Sequence, residues 1–272
     1  MGRIEGKVAI ITGAGNGFGR ESAILFAKEG AKVIIADMNE EAGKGVEEEV
    51  RSDGGEATFV KVDITVPEQV KNMVETAVRL YGKLDILFNN AGFQARCDDV
   101  AHMPVELFDT FMNVNVRGTW LCCHYAAPYL VRTKGNIVNT ASIAAWLGSY
   151  GGTAYGVSKG AVVSMTYALA NELGLYGVRA NAISPASAIT PVILEKYGEA
   201  FVEQRKAGNP LHRLVEPKHI AYAALYLASD EAGSCNGLNM LVDCGAYIRS
   251  QPFELDDYIK RNPYDVEPEW RG

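Results

Sequence analysis

Residues 8–19 read VAIITGAGNGFG: an apolar, largely β-branched stretch runs into a loop holding four glycines, and an amphipathic segment follows. The apolar run reads as a buried strand and the segment over 17–29 as a helix. Between them, glycines let the backbone come close to a bound group, and the N–H groups at the helix start favour an anion there. Gly13, Asn16, Gly17, Phe18 and Gly19 are therefore candidate contacts to a pyrophosphate. A glycine loop alone is weak evidence, since tight turns use glycine widely. Its place between a strand and a helix gives it weight.

The next strand ends on Asp37, about 20 residues beyond the loop, where a carboxylate can accept both hydroxyls of an adenosine ribose. The same charge repels a 2′-phosphate, and neither Asn16 nor Met38 supplies a compensating cation. These residues favour NAD over NADP, against the plainer reading of Asp37 as a solvated acid in a turn. Asp63 ends the third strand and is a candidate for the adenine edge, although an Asp after a strand is also ordinary turn chemistry. Met38 and Ile64, which follow the two acids, are counted with the cofactor set.

Working outward, short Val/Ile-rich runs alternate with longer amphipathic ones, the pattern of βαβ units and a parallel sheet covered on both faces. Strands are expected at 8–12, 32–36, 57–62, 84–89, 135–140, 178–184 and 238–242. Helices are expected at 17–29, 40–52, 67–81, 105–132, 154–176 and 216–229, with Pro67 and Pro217 at first-turn positions that tolerate a missing N–H. The fold class is α/β, a single Rossmann-type doubly wound sheet, with residues 1–248 as one catalytic domain and 249–272 as a C-terminal extension.

Composition narrows the function. The chain has 272 residues, a hydrophobic share of 48% and a net charge of −7, so it is expected to fold compactly and not to bind nucleic acid. No apolar run approaches the roughly 18 residues of a membrane span, and the apolar N-terminal stretch enters the glycine loop with no cleavage site, as a first strand and not a signal peptide. Cys97, Cys122, Cys123, Cys235 and Cys244 contain no CxxC pair, and the four histidines lack metal-ligand spacing. Reduced thiols in a cytoplasmic protein without a metal are expected.

Tyr155 and Lys159 stand one helical turn apart at the start of a long helix and share a face. Such a pair is ordinary surface chemistry unless something needs it. A tyrosine acts as a base near neutral pH only if its anion is stabilised by about 4 kcal/mol, and a neighbouring ammonium is one source of that stabilisation. Ser142 follows the fifth strand, at the sheet end where α/β folds place ligands, so its hydroxyl is a candidate partner for a reacting oxygen.

With those residues in place, the chain resembles the short-chain dehydrogenase/reductase family. The resemblance rests on TGAGNGFG at 12–19, Asp37, Asp63, NNAG at 89–92, NVRG at 115–118, Ser142, YGVSK at 155–159, NAISP at 181–185 and Thr190, in family order over residues 6–247. It implies that Tyr155 is the general acid/base, that Lys159 lowers its pKa and holds the nicotinamide ribose, that Ser142 positions the substrate oxygen, and that Asn115 anchors a water extending the proton relay. It further implies that Asn89, Ala91 and Gly92 support the adenosine side and that Thr190 holds the carboxamide, with Pro185 and Ala188 lining the nicotinamide end. Here the sequence departs from the pattern: Ala186 follows Pro185 where glycine is usual, and Ala188 replaces a common Val or Ile.

The implied activity is NAD-dependent interconversion of a secondary alcohol and a ketone. A catalytically silent dinucleotide sensor on the same fold is the alternative, and the presence of both Tyr155 and Lys159 argues against it. Epimerase-like relatives carry a larger C-terminal domain, and enoyl-type reductases space their tyrosine and lysine more widely. Gln94, Trp146, Tyr150 and Ser187, beside Ser142, are the candidate substrate contacts, with Phe93, Ala144, Ile193, Tyr197 and Phe201 as further walls. This mostly apolar set suits a medium-sized secondary alcohol or cyclic ketone. The segments 120–130 and 157–173 are apolar on nearly every side, which points to burial against a second copy and, by the resemblance, to a homotetramer. The extension carries Phe253, Tyr258, Tyr264 and Trp270 among prolines, and is expected to pack as an arm over the substrate mouth.

Overall fold

The computed structural model describes residues 2–95, 99–148, 152–188, 191–207 and 209–248, with only the backbone described over 191–197. Tyr150, Thr190 and the extension 249–272 lie outside the described residues, as do the side chains of Ile193 and Tyr197.

Among the described residues, seven strands form one parallel sheet: β1 (Val8–Thr12), β2 (Lys32–Asp37), β3 (Glu56–Lys61), β4 (Ile86–Asn89), β5 (Asn136–Thr140), β6 (Arg179–Pro185) and β7 (Asn239–Val242). Their order is β3-β2-β1-β4-β5-β6-β7, so the chain reverses direction across the sheet between β1 and β4. That is the switch point at which a ligand crevice opens beyond the carboxyl ends of the strands. The strands are apolar on both sides because both faces are covered. Ala9 and Ile11 of β1 pack into the layer made with α1 (Gly17–Lys28), α2 (Glu40–Ser52) and α8 (Pro217–Ala228), around Phe26, Val50 and Ile220. Val8 and Ile10 face the opposite layer, of α3 (Pro67–Tyr81), α5 (Thr119–Thr133) and α6 (Thr153–Gly174), around Met73, Leu121 and Leu173. Among the described residues, no helix is long and apolar enough to cross a membrane.

Two elements differ from expectation. The single helix foreseen over 105–132 is α4 (Val105–Phe111), then a π-helical stretch over Met112–Gly118, then α5. The wider turn sits at Asn115, whose carbonyl accepts the Thr119 hydroxyl at 2.8 Å. Apolar periodicity reads this stretch as one continuous helix, because a single wide turn barely shifts the pattern; such bulges gather at functional sites. A helix not foreseen, α7 (Pro191–Ala207), is broken at Gly198, whose φ of 75° interrupts the helical pattern that periodicity reads.

The apolar segments expected to meet a second copy keep exposed faces. Trp120 on α5 is 48% exposed and stacks on His124 with centroids 4.9 Å apart, and Val157 and Tyr167 on α6 are about half exposed.

Candidate active site

The cofactor side is built mostly from backbone. Gly13 adopts a φ of +63°, and a Cβ there would come within 2.8 Å of the Ala91 Cα. At Gly19 a Cβ would strike the Gly13 carbonyl oxygen, so the loop closes only with glycine at both places. The Asn90 carboxamide locks the loop to the turn after β4, donating to the carbonyls of Thr12 (3.0 Å) and Gly13 (3.1 Å). In return the Thr12 hydroxyl accepts from the N–H groups of Asn90 and Ala91, both at 3.1 Å. Thr12 and Asn90 are the positions that sequence reasoning passed over. Both lie inside quoted motifs, but a motif string does not say which of its side chains turn inward.

Asn16 caps α1, its Oδ1 accepting from the Gly17 N–H at 2.7 Å, and the space beside Gly17 is open. Phe18 instead packs its ring against the core of the α1 layer. Asp37 is oriented by two backbone donors, the N–H of Gly15 to Oδ2 (2.8 Å) and that of Asn39 to Oδ1 (2.9 Å). Met38 beside it is exposed. Asp63 folds onto its own turn, one oxygen accepting from both the N–H (2.8 Å) and the hydroxyl (2.7 Å) of Thr65. Ile64 is buried, close to Gly118. Asn89 points into the core, donating to Asn139 Oδ1 (2.9 Å) and Cys123 Sγ (3.2 Å). Its Oδ1 is buried without a partner among the described residues.

The catalytic candidates converge beyond the carboxyl ends of β4 and β5. Ser142 stands in extended backbone two residues past β5, and its hydroxyl caps a 3-10 turn over Ile143–Ala145. Its hydroxyl acts on the Tyr155 phenol, pulling that group's pKa down. Lys159, one turn along α6, is buried and donates from Nζ to the Thr140 carbonyl at 2.8 Å. Its ammonium lies 5.8 Å from the centre of the Tyr155 ring. Asn115 is held on both sides: Oδ1 accepts the Phe93 N–H at 2.6 Å, and Nδ2 donates to the Phe93 carbonyl and the Ser158 hydroxyl, both at 3.0 Å. Gly92 sits between them, since a Cβ there would lie 3.3 Å from Asn115 Oδ1 and 3.4 Å from Lys159 Nζ. Phe111 closes one side, edge-on to Tyr155 at 6.2 Å and to Phe93 at 4.9 Å.

Burial dominates the electrostatics. It pushes the Tyr155 phenol above its ordinary value, with the Ser142 hydrogen bond pulling the other way, and it lowers Lys159 to about 8. The lysine is thus poised to gain or lose a proton near neutral pH.

Gln94 and Ser187 are exposed, Ala144 is half-buried, and Trp146 follows the turn that Ser142 caps. Pro185 ends β6, its carbonyl 3.5 Å from the Ser142 hydroxyl, and Ala188 bridges to Val215. Phe201 is half-buried under the Arg205 guanidinium.

The chain and its fold match known proteins. A family model described as Enoyl-(Acyl carrier protein) reductase matches residues 13–247. An uncharacterized oxidoreductase of Bacillus subtilis, YxbG, is 37% identical over 94% of this chain and 96% of its own length. Short-chain dehydrogenase reductase 3a of Arabidopsis thaliana is 38% identical over 89% of this chain and 96% of its own. A solved 7α-hydroxysteroid dehydrogenase, complexed with NADH and 7-oxo glycochenodeoxycholic acid, superposes with a TM-score of 0.85 at 34% identity, covering 89% of this chain and 95% of that one. From the matched length and the Ser142, Tyr155 and Lys159 cluster, the chain belongs to the short-chain dehydrogenase/reductase family.

Proposed function

We propose that the protein is an NAD-dependent oxidoreductase that interconverts a secondary alcohol and a ketone. The carrying observation is the half-buried Tyr155 phenol, which the Ser142 hydroxyl pulls toward ionisation and which the Lys159 ammonium follows one helical turn later.

The residues present fit a dinucleotide: the close glycine cradle, the helix start at Gly17 and the oriented Asp37 carboxylate. Gly13, Asn16, Gly17 and Gly19 would hold the pyrophosphate and Asp37 the ribose diol, each Asp37 oxygen keeping acceptor capacity beyond its backbone bond. When bound, an oxidised nicotinamide would supply the hydride acceptor for the carbinol carbon and a positive charge beside the phenol. Ser142 orients the substrate hydroxyl, and Tyr155 takes its proton as the carbonyl forms. Lys159 favours the phenolate and exchanges the proton outward, with the backbone at Asn115 anchoring the far end of the path. In the reverse direction Tyr155 gives the proton to the alkoxide oxygen.

The aromatic rim around Ser142, and the ring alcohol chemistry named for the 7α-hydroxysteroid dehydrogenase, support a medium-sized cyclic substrate. Residues 1–248 act as the catalytic unit. The exposed aromatic and aliphatic faces of α5 and α6 support a homo-oligomer, a tetramer in this proposal, and light scattering giving a monomer at micromolar concentration would contradict it. The free, buried thiols of Cys122 and Cys123 support a reducing compartment, the cytoplasm.

The test is NADH formation from NAD with a panel of secondary alcohols, repeated with NADP. Turnover with NAD at a kcat/KM at least about tenfold above NADP supports the reading. Equal or better use of NADP removes the role given to Asp37, and no turnover with either cofactor favours the silent sensor.

A further inference from the structure

Two aromatic side chains from distant parts of the chain meet beside the catalytic centre. Trp146 ends the 3-10 turn that Ser142 opens. The backbone of that turn is held at successive positions: the Ala144 N–H donates to the Ser142 hydroxyl (3.2 Å), the Ala145 N–H to the Ser142 carbonyl (3.0 Å) and the Trp146 N–H to the Ile143 carbonyl (3.1 Å). The indole is therefore carried on the same short unit as the hydroxyl that orients the substrate.

Tyr247 arrives from beyond β7. The chain turns back there through Cys244 and Gly245, at φ 55° and 82°. The Asp243 carboxylate fixes the turn by accepting the N–H of Gly245 at 2.9 Å and that of Tyr247 at 2.8 Å. Gly245 lies against Pro210, so the segment after α7 braces the same corner. The two rings meet edge to face with centroids 6.1 Å apart and planes at 67°.

A pair serving only to pack would hide its rings. Instead Trp146 remains 42% and Tyr247 39% exposed, although the backbone of each is pinned. A preformed, partly wet aromatic surface next to a catalytic hydroxyl binds apolar area at little cost in ordering. We infer that Trp146 and Tyr247 form the specificity wall of the site, taking alicyclic alcohols and ketones whose flat apolar face lies on the indole. This rests on the alcohol–ketone reading above. Tyr247 holds the ring of Trp146 in place, and small acyclic alcohols reach Ser142 without touching either.

The test measures calorimetric binding of trans-2-decalone to the protein saturated with NADH, and kcat/KM for decahydro-2-naphthol and 2-butanol with NAD. Trp146→Ala is expected to weaken decalone binding about tenfold, equivalent to ~1.4 kcal/mol. It should raise KM for decahydro-2-naphthol to match, at least fivefold more than it raises KM for 2-butanol, with kcat for decahydro-2-naphthol within about twofold. Trp146→Phe should restore most of the loss, and Tyr247→Ala should cost about threefold alone and little more when added to Trp146→Ala, because the pair acts as a unit. NADH affinity is the folding control. Equal losses on both alcohols, or decalone binding indifferent to Trp146, overturns the wall. Decalone binding that depends on Trp146 without turnover of either alcohol keeps the wall and overturns the reaction.

Discussion

The two ends of the active site are built from different materials. At the cofactor end, contacts come from backbone shape: glycines at 13 and 19 packed on other backbone, a carboxylate fixed by two N–H groups, and Asn90 stitching two loops. At the proposed substrate end, side chains carried after β5 and β7 come together, with Trp146 and Tyr247 meeting across about 100 positions of sequence. Backbone demands leave residue-type signatures that few alternatives satisfy, whereas many side chains can line an apolar mouth. Under the proposed function, the first region would set the cofactor class and the second the substrate.

The largest effect expected lies where the two ends meet. Tyr155→Phe removes the proton acceptor and should lower kcat by about a thousandfold, while NADH affinity, measured by fluorescence titration, changes little. Retention of more than a few per cent of kcat would break the assignment. Because burial raises the phenol, alcohol oxidation should speed up and ketone reduction slow down as pH rises, in opposed pH–rate profiles.

Asp37→Ser comes next and acts on the cofactor end alone. Loss of charged hydrogen bonds to the ribose should lower kcat/KM for NAD by about 10- to 100-fold and improve the use of NADP. An unchanged cofactor ratio would show that the carboxylate serves only its turn with Gly15 and Asn39.

Lys159→Met separates activity from stability. Burial has lowered this lysine from 10.5 to about 8, so at neutral pH the folded protein carries an ammonium that water would solvate better. Between about 8 and 10.5 the unfolded chain binds the extra proton, so this group's contribution to stability rises with pH across that window and is constant below it. The variant should be inactive yet more stable below pH 8, by about 2 kcal/mol after allowing for the lost bond to the Thr140 carbonyl. Its advantage should fade toward pH 10.5, as read by urea denaturation at several pH values. A less stable variant at pH 7 would contradict the burial argument.

Asn90→Ala is expected to have the smallest effect. Removing two bonds that lock the glycine loop should raise KM for NAD about three- to tenfold and leave kcat nearly intact. A larger fall in kcat would mean that loop order reaches the catalytic residues.

The same contrast explains what could be read from the chain. The strand positions, the glycine loop, Asp37 and the grouping of Ser142, Tyr155 and Lys159 were legible because each imposes a periodicity, a spacing or a residue type. The π turn at Asn115 lies inside one unbroken helical stretch, where a one-residue slip over a single turn leaves little mark in the pattern. Asn89 stood in the right motif, but its side chain braces β4 against β5, a direction set by strand register. Helix α7 was masked by Gly198, and Tyr247 had no signal at all, since its partner is chosen by two left-handed residues after β7.

The central claim is that a hydride passes from a carbinol carbon to NAD while Tyr155 takes the proton. The most direct measurement is mass spectrometry of the NADH formed when the protein turns over cyclohexanol deuterated at its carbinol carbon. The account predicts one deuterium on the nicotinamide ring with the wild-type protein and a yield reduced about a thousandfold with Tyr155→Phe. Unlabelled NADH, or equal label from both proteins, would contradict it.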